Sequence, residues 1–375
     1  MIDQLILKPG DTVGMLGGGQ LGRMMAIAAA RLGLKVHTYC PDPDSPAFEV
    51  SVEQTVADYE DEKALATFAR SVSVVTYEFE NVPKETVAIL SKHVPVRPGA
   101  YPLAVSQDRL SEKQFLADLG IKVAPFYAVD EPADLTAAAR LCGLPAILKT
   151  RRFGYDGKGQ TTLSALDEAN EVFQEIGSVP AILEGRIDFI AECSVLVARN
   201  HQGAAEVYDI TENVHQNHIL KWSRVPARCL PPEVKVKAQQ LGLKIAEALN
   251  YIGLLAVELF VERAKGGEIG LVVNEIAPRV HNSGHWTEDG CLVSQFEQHI
   301  RAVAGWPLGN PDRISDVEME NLIGADADNW FDILCEPDTH LHLYGKKEIR
   351  PGRKMGHVNR LKRSTSAVSG SNPEN

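Results

Sequence analysis

Cysteine is sparse in this chain and never clustered. Six cysteines in 375 residues stand singly, at Cys40, Cys142, Cys193, Cys229, Cys291 and Cys335, and no CxxC word occurs. That disfavours a disulfide framework and a cysteine-type zinc site, and it fits reduced thiols in a cytoplasm. Long apolar runs are missing too. None approaches the roughly 20 residues of a membrane span, so no integral membrane protein is expected. The opening MIDQLILKPGD lacks the basic start, apolar segment and small-residue cleavage site of a secretory leader. Positive charge is in deficit, with 38 Lys and Arg against 50 Asp and Glu for a net charge of -12. Broad nucleic-acid binding is therefore disfavoured, and an anionic ligand must rely on local basic clusters. There is no solenoid-type repeat and no GxxxxGK[ST] phosphate loop.

What remains is a globular composition, 44% hydrophobic and 23% charged, long enough for two or three domains. Residues 12–16 (TVGML) spell a buried strand. GGGQLG follows, then Leu21, Met24, Met25, Ala28 and Leu32 at helical spacing, and Gly33 as a stop. Residues 35–39 (KVHTY) form a second strand. Gly17, Gly19 and Gly22 satisfy G-x-G-x-x-G, but a dinucleotide site wants an acid closing the second strand. Here Cys40, Pro41 and Asp42 stand there, which disfavours nicotinamide. A loop facing another phosphate or nucleotide-like substrate fits better, and a tight turn packing helix on strand is the plain alternative. A strand at 72–76 runs into Glu78 and Glu80, at the sheet edge where ligands of open α/β sheets bind. Either acid can orient a substrate hydroxyl or amine, or be a solvated loop charge.

Composition changes after RPGAYP. Asp108 is placed to cap a helix, RLSEKQFLADL, that Gly120 ends. A strand over 144–149 ends on Lys149, beside Arg151 and Arg152. RRFGYDGKGQ follows, whose Gly154, Gly157 and Gly159 let backbone close over phosphates while Lys158 adds charge. The alternative is a mobile surface hairpin. AILEGRIDFIAECSVLVAR reads as two strands. Residues 184–187 can offer backbone groups to a purine edge, and Glu192 can take ribose hydroxyls. His215 and His218 come next, then a helix over 234–249 and the strand GLLAVELFV with Glu258 at its middle.

The densest chemistry lies in NEIAPRVHNSGHWT, residues 274–287. Glu275 exits an apolar strand, and Arg279, His281, Asn282 and His285 follow closely. This mixture suits Mg²⁺ with a phosphate-bearing substrate better than an ordinary polar loop. Residues 291–304 look helical. Near the end, HLHLYGKKEIRPGRKMGHVN is expected as a strand with Lys346, Glu348 and Arg350 on one face, then Arg353 and Lys354 after a Pro-Gly turn. That is a plausible anion site, or a solvated basic edge. The tail from Ser364 is polar and expected to be disordered.

GGGQLGRM, TYEFENVP, RRFGYDGKGQ, EIAPRVHNSGHWT, SQFEQH and YGKKEIRPGRKMGH together resemble the ATP-grasp superfamily, and within it the 5-(carboxyamino)imidazole ribonucleotide synthetase family of purine biosynthesis. The resemblance spans almost the whole chain. It implies an α/β and α+β ATP-grasp fold. An N-terminal Rossmann-like domain (1–108) would precede an ATP-grasp domain of two subdomains (109–305, flap near 151–160) and a small C-terminal β-rich domain (306–363), with a tail over 364–375. It implies ATP-dependent carboxylation of aminoimidazole ribonucleotide by bicarbonate, with ATP and Mg²⁺ bound, by a cytoplasmic homodimer.

The same resemblance implies roles. Arg109 and Lys149 would contact phosphates beneath a flap of Gly154, Tyr155, Asp156, Gly157, Lys158, Gly159 and Gln160. Glu184, Gly185, Arg186 and Ile187 would form the adenine hinge, with Glu192 on ribose and His215 near the nucleotide. Glu258 and Glu275 would be the magnesium ligands, Asn274 beside them. Gln20, Glu78, Tyr155, Asp156, Arg279, His281, His285, Lys346 and Arg353 would contact ribonucleotide and bicarbonate. Of these, Tyr155, Asp156, Arg279, His281 and His285 would be nearest the chemistry. The hinge departs from the pattern, because Arg186 and Asp188 stand where some similar sequences have an aromatic and a proline.

Overall fold

A computed structural model describes residues 5–154, 157–264 and 266–362. Among the described residues the strands make three sheets. The first is parallel, in the order Glu53–Thr55, Lys35–Tyr39, Thr12–Leu16, Val74–Tyr77. The expected β-loop-α-β unit is present. Thr12–Leu16 is buried, as befits a strand covered on both faces, and the helix Gln20–Arg31 follows the glycine loop. The expected strand at 72–76 is found two residues later, at Val74–Tyr77.

The second sheet is antiparallel, in the order Phe126–Val129, Ala181–Gly185, Ala146–Thr150, Gln160–Leu163. Its helices Pro132–Cys142 and Ala169–Glu175 cover it, and its apolar core, from Val129 to Leu183, is its own. The helix leading into this lobe is Arg109–Asp118. It starts where Asp108 accepts from the amides of Leu110 and Ser111 at 2.9 and 3.3 Å, and Gly120 turns the chain away at φ 68°.

The third sheet has nine strands. It runs from Ile269–Ala277 through Gly253–Arg263, Phe189–Arg199, Thr211–Gln216 and Ile219–Val225 to Asp316–Ile323, Lys354–Lys362 and Thr339–Leu343, with Ala205–Val207 beside Phe189–Arg199. The C-terminal strands thus extend the central sheet edge to edge, because Ile219–Val225 pairs with Asp316–Ile323. One apolar core also joins Leu21 and Met25 of the N-terminal helix to Trp286, Phe296, Ile300, Met319 and Tyr344. Burial of each such large side chain contributes about 1.5–3 kcal/mol.

Two expectations fail. Residues 291–304 are helical only over Gln295–Val303, where the Ser294 hydroxyl accepts from the Glu297 amide at 3.2 Å. Lys346, Glu348 and Arg350 do not share a strand face. Residues 344–353 are a loop between Thr339–Leu343 and Lys354–Lys362. Gly345 and Gly352 take φ of 73° and 77°, which breaks the extended path, and Arg350 pairs locally with Glu348. The loop is laid over the N-terminal domain, where Lys347 pairs with Asp44. Residues 364–375 lie outside the described residues.

Candidate active site

The strands Gly253–Arg263 and Ile269–Ala277 pair antiparallel with Glu258 opposite Glu275. Directly opposed residues project from the same face, so the two carboxylates are neighbours. Next to this pair the register slips: Leu259 faces Val273, and Asn274 is the extra residue. Such bulges re-aim side chains, and they recur beside active sites. Asn274 Oδ1 is buried without a hydrogen-bond partner. Two carboxylates and an orphaned amide oxygen are hard donors of the kind Mg²⁺ takes, so the donor set fits that ion.

Each carboxylate already has a positive or protonatable neighbour. Arg109 Nη1 donates to Glu275 Oε2 at 2.9 Å, and His281 Nε2 lies 2.9 Å from Glu258 Oε1. Burial pushes the Glu258 carboxyl up, but His281, with His215 and Lys354 beyond, outweighs it and holds the group well below its ordinary range. His281 is fixed from its other side by the Ser283 hydroxyl at 2.9 Å.

A second group of charges lies where the small antiparallel lobe meets this edge. Glu184, 2% exposed, takes Lys149 Nζ at 3.0 Å and Lys113 Nζ at 3.3 Å. Burial raises its carboxyl, yet the two lysines bring it down to about 2. Burial conversely lowers the Lys149 ammonium, against the pull of Glu184. Lys113 also donates to the Asn274 carbonyl at 2.8 Å, tying the hinge strand to the bulge. Gly185 is buried, Arg186 exposed and Ile187 between them. An aromatic face near the hinge comes from Phe189 stacked on Phe260 at 4.7 Å. Glu192 Oε2 meets His215 Nδ1 at 2.8 Å, and this contact outweighs burial to raise the imidazole.

The glycine flap is partly described. Tyr155 and Asp156 lie outside the described residues. Gly157, at φ 79°, leaves room for nothing more, since a Cβ there would lie 2.6 Å from His218 Cβ. The flap of the small lobe therefore touches a hairpin tip of the large sheet. Gly154 lies close to Arg109, Gln160 pairs with Lys149 across the strands, and Lys158 lies between them in sequence.

A third group belongs to the N-terminal domain. The Glu78 carboxylate accepts from the amides of Gly19 and Gly22 at 2.7 and 3.3 Å, just beside Gln20 at the helix start. A Cβ on Gly17 or Gly19 would lie 2.7 or 2.8 Å from Glu78 Oε1, so the glycines admit this carboxylate. The loop amides expected to face a phosphate are thus engaged by an acid. Burial raises the Glu78 carboxyl, and these amides, Arg279 and Lys346 oppose the rise. Arg279 Nη2 donates to Glu80 at 2.9 Å and feels Glu78 and Glu275 as well, so it stands between the N-terminal acids and the bulge. Lys346 Nζ donates to the Lys354 carbonyl at 2.7 Å and lies over the Tyr344 ring. Arg353 Nη1 holds the Glu348 carbonyl at 2.9 Å in the same loop.

His285 does not belong to this surface. It is fully buried, packed 4.7 Å from the His357 ring and 5.4 Å from the Phe296 ring, with Nδ1 3.0 Å from Gln295 Nε2. Burial and the neighbouring imidazoles push its pKa well below the ordinary value. This geometry holds the ring in the core rather than at the surface the other expected residues share, so it lends the expected contact and catalytic role of His285 no support. Lys113 and Glu112 are the groups the sequence did not single out. Both are buried on the inner face of Arg109–Asp118, three or four residues before Leu116. Charge on an apolar helical stripe was the available sign.

Two lobes that close on a carboxylate pair, with lysines at the hinge and a glycine flap, define an ATP-grasp protein. The ATP-grasp domain family matches residues 114–296, the ribonucleotide synthetase preATP-grasp domain residues 11–107, and the phosphoribosylaminoimidazole carboxylase C-terminal domain residues 318–370. The chain belongs to the N5-carboxyaminoimidazole ribonucleotide synthase family. The protein of that name from Brucella melitensis is 51% identical over 97% of this chain and 100% of its own length. The one from Pseudomonas aeruginosa is 45% identical over 92% and 93%. A crystal structure of the Staphylococcus aureus synthetase complexed with ADP has a TM-score of 0.90 at 38% identity, covering 97% of this chain and 96% of that one. A structure from Aspergillus clavatus in complex with ADP and 5-aminoimidazole ribonucleotide has a TM-score of 0.87 at 30% identity, covering 94% of each chain.

Proposed function

We propose that this chain is an ATP-dependent ligase that carboxylates 5-aminoimidazole ribonucleotide with bicarbonate. The products are N5-carboxyaminoimidazole ribonucleotide, ADP and phosphate, in purine biosynthesis. The single observation that carries the reading is the opposition of Glu258 and Glu275 beside the bulge at Asn274. Arg279 links that edge to Glu78 and Glu80. Nucleotide and ribonucleotide would meet across this arginine.

Bicarbonate is a poor electrophile, so the γ-phosphoryl is first passed to it to make carboxyphosphate. The exocyclic amine of the ribonucleotide then captures the activated carbonyl, or CO₂ released from it. This transfer needs positioning and charge neutralisation rather than covalent help from the protein. Mg²⁺, when bound at Glu258, Glu275 and Asn274, supplies neutralisation of the phosphate charge. Lys149 and Arg109 face the phosphates, and Lys113 keeps Glu184 ionised and the hinge strand in register. Glu192 and His215 hold the ribose side. Arg279 steadies bicarbonate, Gln20 and Glu78 orient the amine-bearing substrate, and Lys346 with Arg353 take its phosphate. The flap over 154–160 keeps water from carboxyphosphate, with Tyr155 and Asp156 brought to the substrate on closure. The amine proton goes to Asp156, His281 or the departing phosphate.

No described helix is long and apolar enough to cross a membrane. A cytoplasmic homodimer is the setting we assign. The decisive assay is ADP release with ATP, bicarbonate and aminoimidazole ribonucleotide, each omitted in turn. Release should need all three. Equal turnover with formate and glycinamide ribonucleotide would overturn the reading.

A further inference from the structure

Outside the site just described, one cluster of imidazole and carboxylate groups has no task. The helix Thr287–Gly290 presents Glu288 and Asp289 to the C-terminal strands Thr339–Leu343 and Lys354–Lys362. His357 Nε2 lies 3.2 Å from Glu288 Oε2, and His342 Nδ1 lies 3.9 Å from Glu288 Oε1. One ligand atom from each of Glu288, His342 and His357 falls within 4.8 Å of the other two.

Their remaining nitrogens are already oriented. His342 Nε2 meets Asp289 Oδ2 at 2.8 Å, and His357 Nδ1 meets the Tyr344 hydroxyl at 3.0 Å. Asn359 Nδ2 donates to the same Asp289 oxygen at 2.7 Å. A carboxylate or hydroxyl behind each imidazole is the arrangement that fixes tautomer and aim in metal sites. The inward atoms, by contrast, are poorly satisfied. Glu288 Oε2 and His357 Nε2 are buried and meet each other at 3.2 Å without the alignment of a hydrogen bond, and His357 is fully buried. Buried polar atoms left without an aligned partner are costly unless something completes them.

Glu288 and His342 also line a cavity of about 350 Å³, walled by Arg23, Arg31, Phe296 and Tyr344. An ion has a way in, and a fourth coordination position has somewhere to open. We propose that Glu288, His342 and His357 bind one zinc-class divalent ion, separate from the Glu258 and Glu275 site, with its open position facing this cavity. Two imidazoles and one carboxylate select such an ion over Mg²⁺, which prefers oxygen donors and octahedral geometry. The His342 and His357 rings now lie nearly parallel with centroids 4.4 Å apart, so ion entry tilts one ring out of the stack. The bound ion fastens the helix Thr287–Gly290 to both C-terminal strands.

The test uses the full chain stripped with a chelator and then dialysed against Zn²⁺ or Co²⁺. One Zn²⁺ should be retained per chain, thermal unfolding should move upward, and Co²⁺ should give the intense visible bands of a four-coordinate site. His342→Ala should weaken Zn²⁺ binding by at least ~100-fold, and Asp289→Asn by ~10–100-fold. Glu288→Gln is nearly isosteric and serves if His342→Ala does not fold. Glu258→Gln should retain the ion, which separates this site from the nucleotide's metal and from failure of the ligase reading. Zn²⁺ retained equally by wild type and Glu288→Gln, lost instead in Glu258→Gln, or not retained by wild type, would overturn the proposal.

Discussion

Replacing Lys113 with Met tests whether the clamp is held by a buried charge bridge. Lys113 is 1% exposed and spans the hinge strand, through Glu184, and the bulge, through the Asn274 carbonyl. Lowering the Glu184 carboxyl from 4.5 to about 2 corresponds to about 3 kcal/mol of preference for the charged form. Lys149 carries the larger share and Lys113 the next, so the loss there is about 1 kcal/mol. The vanished bond to the Asn274 carbonyl adds about 1 kcal/mol. Methionine keeps the apolar stem, so little packing is lost. A loss of about 2 kcal/mol lowers the melting temperature of a unit of 150–250 residues by about 4–8 °C. The chain's four tryptophans report unfolding by fluorescence. The KM for ATP should rise, because hinge and bulge lose their common anchor. With Glu184→Gln already in place, Lys113→Met should cost clearly less, about 1 kcal/mol at most, since the charge bridge is already gone and only the bond to the Asn274 carbonyl is lost. A melting temperature within about 1 °C of wild type, or an equal drop in the Glu184→Gln background, would refute the bridge.

Glu275→Ala should abolish ATP turnover while leaving the fold intact by circular dichroism; normal ADP release would remove the metal assignment. Arg353→Ala should raise the KM for the ribonucleotide by about tenfold and leave that for ATP nearly unchanged, and equal losses would count against a phosphate role. Acid should act through Glu184. Its carboxyl is depressed in the folded chain, so its stabilisation is present above about 4.5 and fades as pH falls toward about 2. Glu184→Gln should therefore flatten that part of the stability-against-pH curve, and an unchanged slope would show that other carboxylates set it.

Local words were the most legible part of the chain. The Asp108 cap, the Gly120 stop, the glycine loop before Gln20–Arg31 and the strand carrying Glu258 all follow from short-range chemistry, and all stand where expected. The pairing of Glu258 with Glu275 needed only two consecutive strands to be neighbours. What was hidden depends on long-range assembly. Lys113 and Glu184 are 71 positions apart in number, and no local pattern announces that they meet. His285 read as a ligand because it sits among ligands, yet its ring turns into the core against Phe296, 11 positions on. The basic run at 346–354 looked like a strand by alternation, but two glycines at positive φ bend it into a loop. The engagement of the glycine-loop amides by Glu78 was likewise invisible, since the acid arrives from another strand.

The edge-to-edge union of Ile219–Val225 with Asp316–Ile323 makes the C-terminal strands part of the catalytic half's scaffold. A shortened chain ending after the ATP-grasp region would bare a ladder of unpaired amides and carbonyls along Trp222, Ser223, Arg224 and Val225. Bare edges of that kind recruit other copies. The terminal strands therefore act as a stopper against edge-to-edge aggregation through this sheet.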